Sequence, residues 1–591
     1  MPHKQVTLIS IGSFLIFLAM AIFGWIKLKY GFNMADEGMY MVDGWRLTTG
    51  DRLFPDNAID ASMLYVVFNA LIFKLSPDIT LLEFRQLQYV LSLSAIFIFG
   101  AAIYQWSRKL WPIPLTMAVF AFTGLDTVGN NSNMSYYTYP HLFMVLHIAL
   151  LIFALTSQKG LIRPFLFITS GVALWGCGFS LLPLSVTMIS PGLVWLCTKY
   201  LDIKKGNFSF KELLLVLSPG IILWGGFIAI YNVSFLHAIL DIYRYVKEGG
   251  GEGAWVNDIA LEYIAATAVF WVVLIIAQRL PVRAMIALVT VVSGLMFEII
   301  DSNLAGLIHP FWRGWLSNQM WFCSLLITFT AIFLAHLVQQ KRSNSPLDSN
   351  ECLILIILIP SVVCALLFSH FSSLGIITTL YVAIPVTMAF ALFIIRHLER
   401  RYSASQHVVA TAIIVILFPF FFHLARADWR FTFFDLIPEK LVHTVSGGFA
   451  DGIKTNTVNA SMIRWMEMTS STHSSDGEFA IVMDETPMGY MLIKRRPSLN
   501  HSWIGWGQSF SLRQDSLEEM LRENRQPRIA YRFLHLPYLI PISLKDGTFS
   551  LAPNKYYAPN DPISAYVTTR MQLIDTFFVN GNPWIEFYIR Q

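Results

Sequence analysis

Apolar runs of about 17 to 25 residues, the length that carries an α-helix across a bilayer, recur along almost three quarters of this chain. They fall at approximately 7–29, 83–106, 111–126, 138–156, 163–180, 182–198, 212–231, 259–278, 283–300, 318–338, 351–369, 374–395 and 406–425. The pattern predicts a polytopic α-helical membrane protein with about 13 transmembrane helices. The first run has no small-residue cleavage pattern behind it and reads as a retained helix. A further run at 61–75 is too short: at about 1.5 Å per residue it covers some 22 Å, against a hydrocarbon core of roughly 30 Å.

Basic residues decide how that short run lies, because cytoplasmic loops are enriched in Lys and Arg. With 61–75 laid flat, alternate loops carry Arg108 and Lys109; Lys159 and Arg163; Lys199, Lys204, Lys205 and Lys211; Arg279 and Arg283; Lys341 and Arg342; and Arg396, Arg400 and Arg401. Intervening loops are nearly free of them. The short run is therefore an interfacial or re-entrant helix on the outer side, and the first loop and the C-terminal region share that side. After about residue 426 the chain turns polar with regular Pro and Gly, which divides it into a membrane domain, 1–426, and a soluble domain, 427–591. In the soluble part, 478–483, 489–494 and 527–533 read as strands, and 459–468 and 515–524 as helices. Ser516 and Glu519 stand at capping-box spacing in the second helix, giving a small α/β layer.

Composition agrees: 55% of the 591 residues are hydrophobic, 14% aromatic and 14% charged, with a formal net charge of +4. So small a charge gives no electrostatic reason to expect nucleic acid as a partner. The five cysteines lie inside apolar segments without CxxC spacing and read as core residues.

The stretch MADEGMYMVDGWRLTTGDRLFPD, which follows the first span directly, is the chemically conspicuous part. If 35–47 is a helix, Asp36, Tyr40 and Asp43 fall at i, i+4 and i+7 on one face, able to point carboxylates into a cavity at the membrane rim. Solvation of an ordinary outer loop is the alternative use for these acids. Asp126 ends the third span at the same boundary, where a satisfied helix-end carboxylate is an equal reading. The outer face holds few basic groups, Arg46, Arg52, Lys74, Arg85, Arg244, Lys247, His309 and Arg313, each able to meet a phosphate or a lipid headgroup. Arg244 and Lys247 precede the Gly-rich GGGEG, and His309 and Arg313 sit in LIHPFWRGW among three aromatics.

At the acidic stretch, the short apolar helix and EFRQLQYVLSLSAIFIFGAAIYQWSRKLW, the chain resembles the GT-C superfamily of polyprenyl-phosphate-sugar-dependent glycosyltransferases, which includes protein O-mannosyltransferases and lipid A aminoarabinose transferases. The likeness is clearest over the first hundred residues and continues more loosely through FTGLDTVGNNSNMSYYTYP to FAIVMDETPMGYMLIKRRPS and SLEEMLRENRQPRIAYRF. The resemblance implies transfer of one sugar, with inversion, from an undecaprenyl-phosphate-linked donor to a periplasmic acceptor, a lipopolysaccharide or O-antigen glycan or another glycolipid. It implies a Gram-negative inner membrane with the C-terminal domain in the periplasm, membrane lipids as partners, and dependence on a synthase that loads the donor and a flippase that turns it over. Asp36 matches the family's first-loop acid and is expected as general base, with Glu37 orienting or replacing it and Asp126 facing it across the cavity. Those three acids would also hold a divalent cation, magnesium or manganese, should the reaction use one; nothing in the sequence points to zinc. Tyr490, Trp503 and Trp506 are candidate sugar-stacking groups, with core packing the commoner use of such residues.

A transporter or flippase of lipid-linked glycans is the competing class. It predicts ionisable residues deep in the membrane that relay protons, and the sequence shows few. A polymerase of preassembled repeats predicts large basic mid-chain outer loops, and those here are modest.

Overall fold

The structure, a computed structural model, describes residues 24–53, 64–108, 138–157, 160–180, 182–201, 209–231, 329–343, 347–371, 383–402, 440–483, 485–503, 510–535 and 561–591, with isolated positions that include 18, 21, 22, 135 and 435. The segment that follows the first apolar run folds into helix α1 (Asp36–Thr48), followed by α2 (Leu64–Leu75). The membrane part continues with α3 (Leu81–Ser107), α4 (Thr138–Thr156), α5 (Ile162–Ser180), α6 (Ser190–Tyr200), α7 (Phe210–Tyr231), α8 (Ser349–Phe371) and α9 (Ala383–Tyr402). Four helices among the described residues are long and apolar enough to cross a membrane: Leu81–Ser107, Thr138–Thr156, Ile162–Ser180 and Ser349–Leu367. The chain is a multi-pass membrane protein. The spans expected at 111–126, 259–278, 283–300 and 406–425 lie almost wholly outside the described residues.

Helix α3 begins where a capping box can form: Thr80 accepts from the Glu83 amide, and Glu83 accepts from that of Thr80. Helix α2 has 12 residues, about 18 Å of rise, and so is far shorter than the hydrocarbon core, as the interfacial reading requires. The apolar run at 182–198 is not one α-helix. Residues Leu182–Ile189 wind as a 3-10 segment and α6 starts afresh at Ser190, because Pro191 fits only the first turn of a helix.

The C-terminal residues build a β1–β2 ladder (His443–Thr444, Lys454–Thr455) and a five-stranded sheet in the order β4-β3-β5-β7-β6. The strands of the sheet are β3 (Phe479–Val482), β4 (Arg496–Pro497), β5 (Ile529–Phe533), β6 (Gln572–Val579) and β7 (Asn582–Ile589). Strands β3, β4 and β5 run parallel, while β7 pairs antiparallel with both β5 and β6. Helices α10 (Thr457–His473), α11 (Met488–Ile493), α12 (Phe510–Arg522) and α13 (Pro562–Arg570) accompany the sheet.

Three sequence expectations change. The run at 489–494 is helix α11 and not a strand: a six-residue apolar segment carries no period that separates the two, and here Pro487 opens a helical turn that Lys494 closes in the left-handed region. Ser516 lies inside α12, where its hydroxyl donates to Asn500 Oδ1, and so it caps nothing. The β6–β7 hairpin carries a signal that strand counting passed over. Asn580 and Gly581 both have positive φ, 51° and 80°, the requirement of the tight hairpin turn for which Asn-Gly is the usual sequence.

One apolar core joins the outer helices to the sheet. Tyr40, Met41 and Val42 of α1, Leu64, Tyr65 and Val66 of α2, and Phe84 of α3 are buried in the same cluster as Met466, Val482, Met488, Tyr490 and Tyr531. A second cluster fills the space between the membrane helices. Backbone pairing adds to the junction: the amide of Gly31 donates to Lys454 O at 2.8 Å, that of Lys454 to Lys29 O at 2.6 Å, and that of Leu81 to Phe449 O at 2.9 Å. Asp435 accepts from the Phe32 amide at 3.1 Å and from Asn456 Nδ2 at 2.6 Å, tying the exit of the first span to the start of α10.

Two glycines let α1 approach both neighbours at backbone distance. A Cβ on Gly38 would stand 2.1 Å from the Met488 nitrogen and 2.5 Å from its Cα; one on Gly44 would stand 2.5 Å from Asn69 Cβ and 2.9 Å from the Ala70 nitrogen. In both cases backbone would have to move. Substituting Gly38→Val is expected to cost about 1–3 kcal/mol of docking between α1 and α11, so that protease cleavage between membrane and soluble parts accelerates roughly tenfold. Cleavage at the unaltered rate in detergent-purified protein would refute the close-contact role.

Candidate functional site

Helix α1 carries its acids into the interior and then satisfies them almost one by one. Glu37, fully buried, forms a two-pronged pair with the equally buried Arg85 of α3: Arg85 Nε to Glu37 Oε1 and Arg85 Nη2 to Glu37 Oε2, both at 2.6 Å. Arg85 Nη1 also donates to the carbonyls of Leu28, at 2.8 Å, and Gly31, at 3.1 Å. One guanidinium thus collects the end of the first span and the start of α1. Buried charges are tolerated only when paired and fully hydrogen-bonded, and this geometry meets that condition.

Asp43, two turns further on, accepts from Tyr65 Oη at 2.6 Å and from Ser502 Oγ. It therefore binds α1 to α2 and to the C-terminal residues. Tyr40 packs edge-on against Tyr65, ring centroids 5.6 Å apart, and its carbonyl accepts from Asn69 Nδ2 at 2.9 Å. Asn69 Oδ1 in turn accepts from Tyr139 Oη of α4 at 2.9 Å.

Arg46 ends the same helix with its side chain fully buried. Its Nε donates to Asp51 Oδ2 at 2.7 Å, and Nη2 and Nη1 donate to the carbonyls of Leu499 at 3.0 Å and Asn500 at 3.2 Å. Asp51 receives two more guanidinium groups, Arg496 at 2.7 Å and Arg525 at 3.0 Å, which both stand over the Phe479 ring. Burial pulls Arg46 below its ordinary value and the Asp51 charge opposes that pull. Close by, desolvation and then the Arg46 charge lower His501 to about 4, against the opposing charge of Asp43.

The expected site residues therefore separate. Arg46 and Arg85, expected at a donor phosphate, are instead buried in carboxylate and carbonyl contacts. Arg52 is exposed beyond α1, and Lys74 is exposed at the end of α2. Asp36 lies in the first turn of α1, partly exposed. It differs in this from Glu37, Asp43 and Asp51, which are all buried. Asp126, Arg244, Lys247, His309 and Arg313 lie outside the described residues. With Glu37 committed to Arg85, the described part of the acidic set does not assemble as a cation cage, and no group of three or more His, Cys, Asp or Glu that could hold a metal occurs among the described residues. Tyr490 is core, its hydroxyl accepting from the Val482 amide at 2.9 Å; Trp506 lies outside the described residues, and Trp503 is partly exposed.

Sequence reasoning missed Arg496, Arg525 and Ser502, whose partners in the first loop lie more than 440 residues away in the chain. It also missed His147 at the midpoint of α4, fully buried, with Nδ1 2.9 Å from Ser170 Oγ of α5 and Nε2 without a hydrogen-bond partner among the described residues.

No family model matches the chain, and no curated protein does. Among solved structures, it is similar to ArnT from Cupriavidus metallidurans bound to undecaprenyl phosphate, at 13% identity over 98% of each chain with a TM-score of 0.43. It is also similar to the oligosaccharyltransferase AglB of Archaeoglobus fulgidus in complex with an inhibitory peptide and a dolichol-phosphate. There the identity is 10% over 88% of this chain and 69% of the other, with a TM-score of 0.41.

Two outcomes follow from the buried charges. Glu37→Gln and Arg85→Met should each destabilise by about 3–5 kcal/mol, since each strands a buried charge, while the double variant should fall short of the sum by about 1 kcal/mol or more; strictly additive losses in thermal unfolding would show that the two groups are not coupled. For His501, the folded-state value lies below the ordinary 6.5, so its contribution to stability is complete above about pH 6.5 and is lost as pH falls toward about 4. His501→Gln is expected to flatten the acid-side fall in the unfolding midpoint, and an unchanged profile would remove His501 as its source.

Proposed function

We propose that this chain is an inverting glycosyltransferase that moves one sugar from a polyprenyl-phosphate donor to an acceptor hydroxyl, with Asp36 as the base. The observation that supports the reading is a difference in exposure within one short segment: Glu37, Asp43 and Asp51 are buried, whereas Asp36 is partly exposed on the same anchored helix. A base has to be reached by its substrate and held in place by other groups.

In this reaction the acceptor oxygen forms a bond to the anomeric carbon as the bond from that carbon to the phosphate oxygen breaks. The electron pair leaves with the polyprenyl phosphate, and Asp36 takes the acceptor proton and later releases it to water. The prenyl phosphate is already a good leaving group, so no covalent intermediate is needed and cations at its oxygens supply the electrostatic part. Arg52 and Lys74, together with Arg244, Lys247, His309, Arg313 and the acid Asp126, are the residues we propose for that cavity. We assign Glu37, Arg46 and Arg85 to holding α1. An inner-membrane location, a periplasmic soluble domain, a lipopolysaccharide or O-antigen acceptor, and a loading synthase with a flippase upstream complete the proposal.

One observation favours the transporter or flippase class: His147, a titratable group buried midway along a span beside Ser170, is of the kind that proton relays use. The two classes separate in one experiment. Asp36→Asn should lower transfer at least about a thousandfold, with donor-lipid binding and folding unchanged, as read by mass spectrometry of cell-envelope glycans. Full glycan modification in that variant removes Asp36 as base, and altered sidedness of the lipid-linked sugar on His147→Gln would turn the assignment to transport.

A further inference from the structure

The first span ends in a cationic site that the proposed reaction does not use. Leu18, Ile22, Trp25 and Ile26 are 41%, 51%, 43% and 46% exposed, an apolar stripe at helical spacing, while Gly24, Lys27 and Leu28 are buried on the opposite side. Lys29 lies in the turn that ends this helix, partly exposed, next to the apolar stripe, where long basic side chains reach headgroups.

The soluble part brings a second lysine to the same place. Tyr30 and Lys454 form a parallel bridge, fixed by the hydrogen bonds between Gly31 and Lys454 and between Lys454 and Lys29. Lys29 Nζ lies 5.5 Å from the centroid of the Tyr30 ring and Lys454 Nζ 5.4 Å from it. Among the described residues neither ammonium has a carboxylate within ion-pair distance, in contrast to Arg46, Arg85, Arg496 and Arg525 a short way along the same junction. Trp25, which also packs against Tyr89 with ring centroids 6.3 Å apart, is the kind of aromatic that anchors a helix at headgroup level.

We propose that Lys29, Tyr30 and Lys454 bind the phosphate of an anionic glycerophospholipid whose acyl chains lie along the Leu18–Ile22–Trp25–Ile26 stripe. The two cations match a phosphodiester, and the apolar stripe running into them favours a lipid over a soluble anion. Because Lys29 belongs to the membrane span and Lys454 to the β1–β2 ladder, one headgroup would clamp the soluble part to the bilayer.

Brominated lipids quench tryptophan on contact, so the test reads the share of fluorescence that belongs to Trp25, taken as the difference between the full chain and its Trp25→Phe variant. Brominated phosphatidylglycerol is expected to quench that share at about a tenfold lower lipid concentration than brominated phosphatidylcholine. The preference should vanish in Lys29→Gln/Lys454→Gln and persist in Lys29→Arg/Lys454→Arg. Equal quenching by the two lipids, or a preference that survives the double Gln variant, overturns the proposal. Displacement of the phosphatidylglycerol by millimolar inorganic phosphate alone would assign the site to a soluble anion and overturn the lipid as its occupant.

Discussion

A charged helix buried between the N-terminal helices and the C-terminal sheet is the constraint on which the rest of the structure depends. Helix α1 brings Glu37, Asp43 and Arg46 into the interior, and Asp51 follows it there. The penalty for desolvating an unpaired ion is several kcal/mol, so every one of these groups dictates a partner elsewhere. Glu37 requires Arg85 from α3; Asp43 requires Tyr65 from α2 and Ser502; Asp51 requires Arg46, Arg496 and Arg525. The N-terminal helices and the C-terminal residues are joined by those of these contacts that cross between them: Asp43 with Ser502, Asp51 with Arg496 and Arg525, and Arg46 with the carbonyls of Leu499 and Asn500.

The Asp51 cluster shows how the balance is struck. Three guanidinium groups around one carboxylate carry excess positive charge, and a bare arrangement of that kind would repel. The excess is taken up by dipoles and nearby acids: Arg46 donates to the carbonyls of Leu499 and Asn500, Arg525 to the carbonyl of Pro497 at 3.1 Å, and Glu523 lies 3.8 Å from Arg525. Phe479 supplies a ring face to two of the three cations. Desolvation lowers His501 first, and the charge of Arg46 adds to it.

Much of this architecture was legible in the chain. Spans at 138–156 and 163–180 agree with α4 and α5 to within a residue, because length and apolarity alone define a membrane helix. The supposition of a helix over 35–47 matches α1, on which Asp36, Tyr40 and Asp43 lie, and the short run before Leu75 is the 12-residue helix α2. The roles of Arg46 and Arg85 were not legible. Scarcity of basic residues on one face suggested that each would serve a phosphate, yet the carbonyls and carboxylates that claim these two come from residues up to 454 positions away, which no local pattern announces. The helix at 488–493 was hidden for a different reason: its identity is set by Gly489 packed against Val482 and by the Tyr490 hydroxyl bonded to the Val482 amide, both tertiary contacts.

The same contacts fix what Asp36 can do. Its helix has no side-chain cap; instead the preceding turn is held by the Met488 amide, which donates to Met34 O at 3.0 Å, and by Asn33 Oδ1, which accepts from the Ala35 amide at 2.8 Å. Gly38 meets Met488 at backbone distance two residues later. Asp36 is therefore bracketed by contacts to α11, and the Glu37–Arg85 pair next to it ties the same turn to α3. A carboxylate on a helix that cannot slide without breaking buried ion pairs is positioned at folding and not at each turnover. In the proposed transfer, helix α11 and the strands behind it act by positioning Asp36.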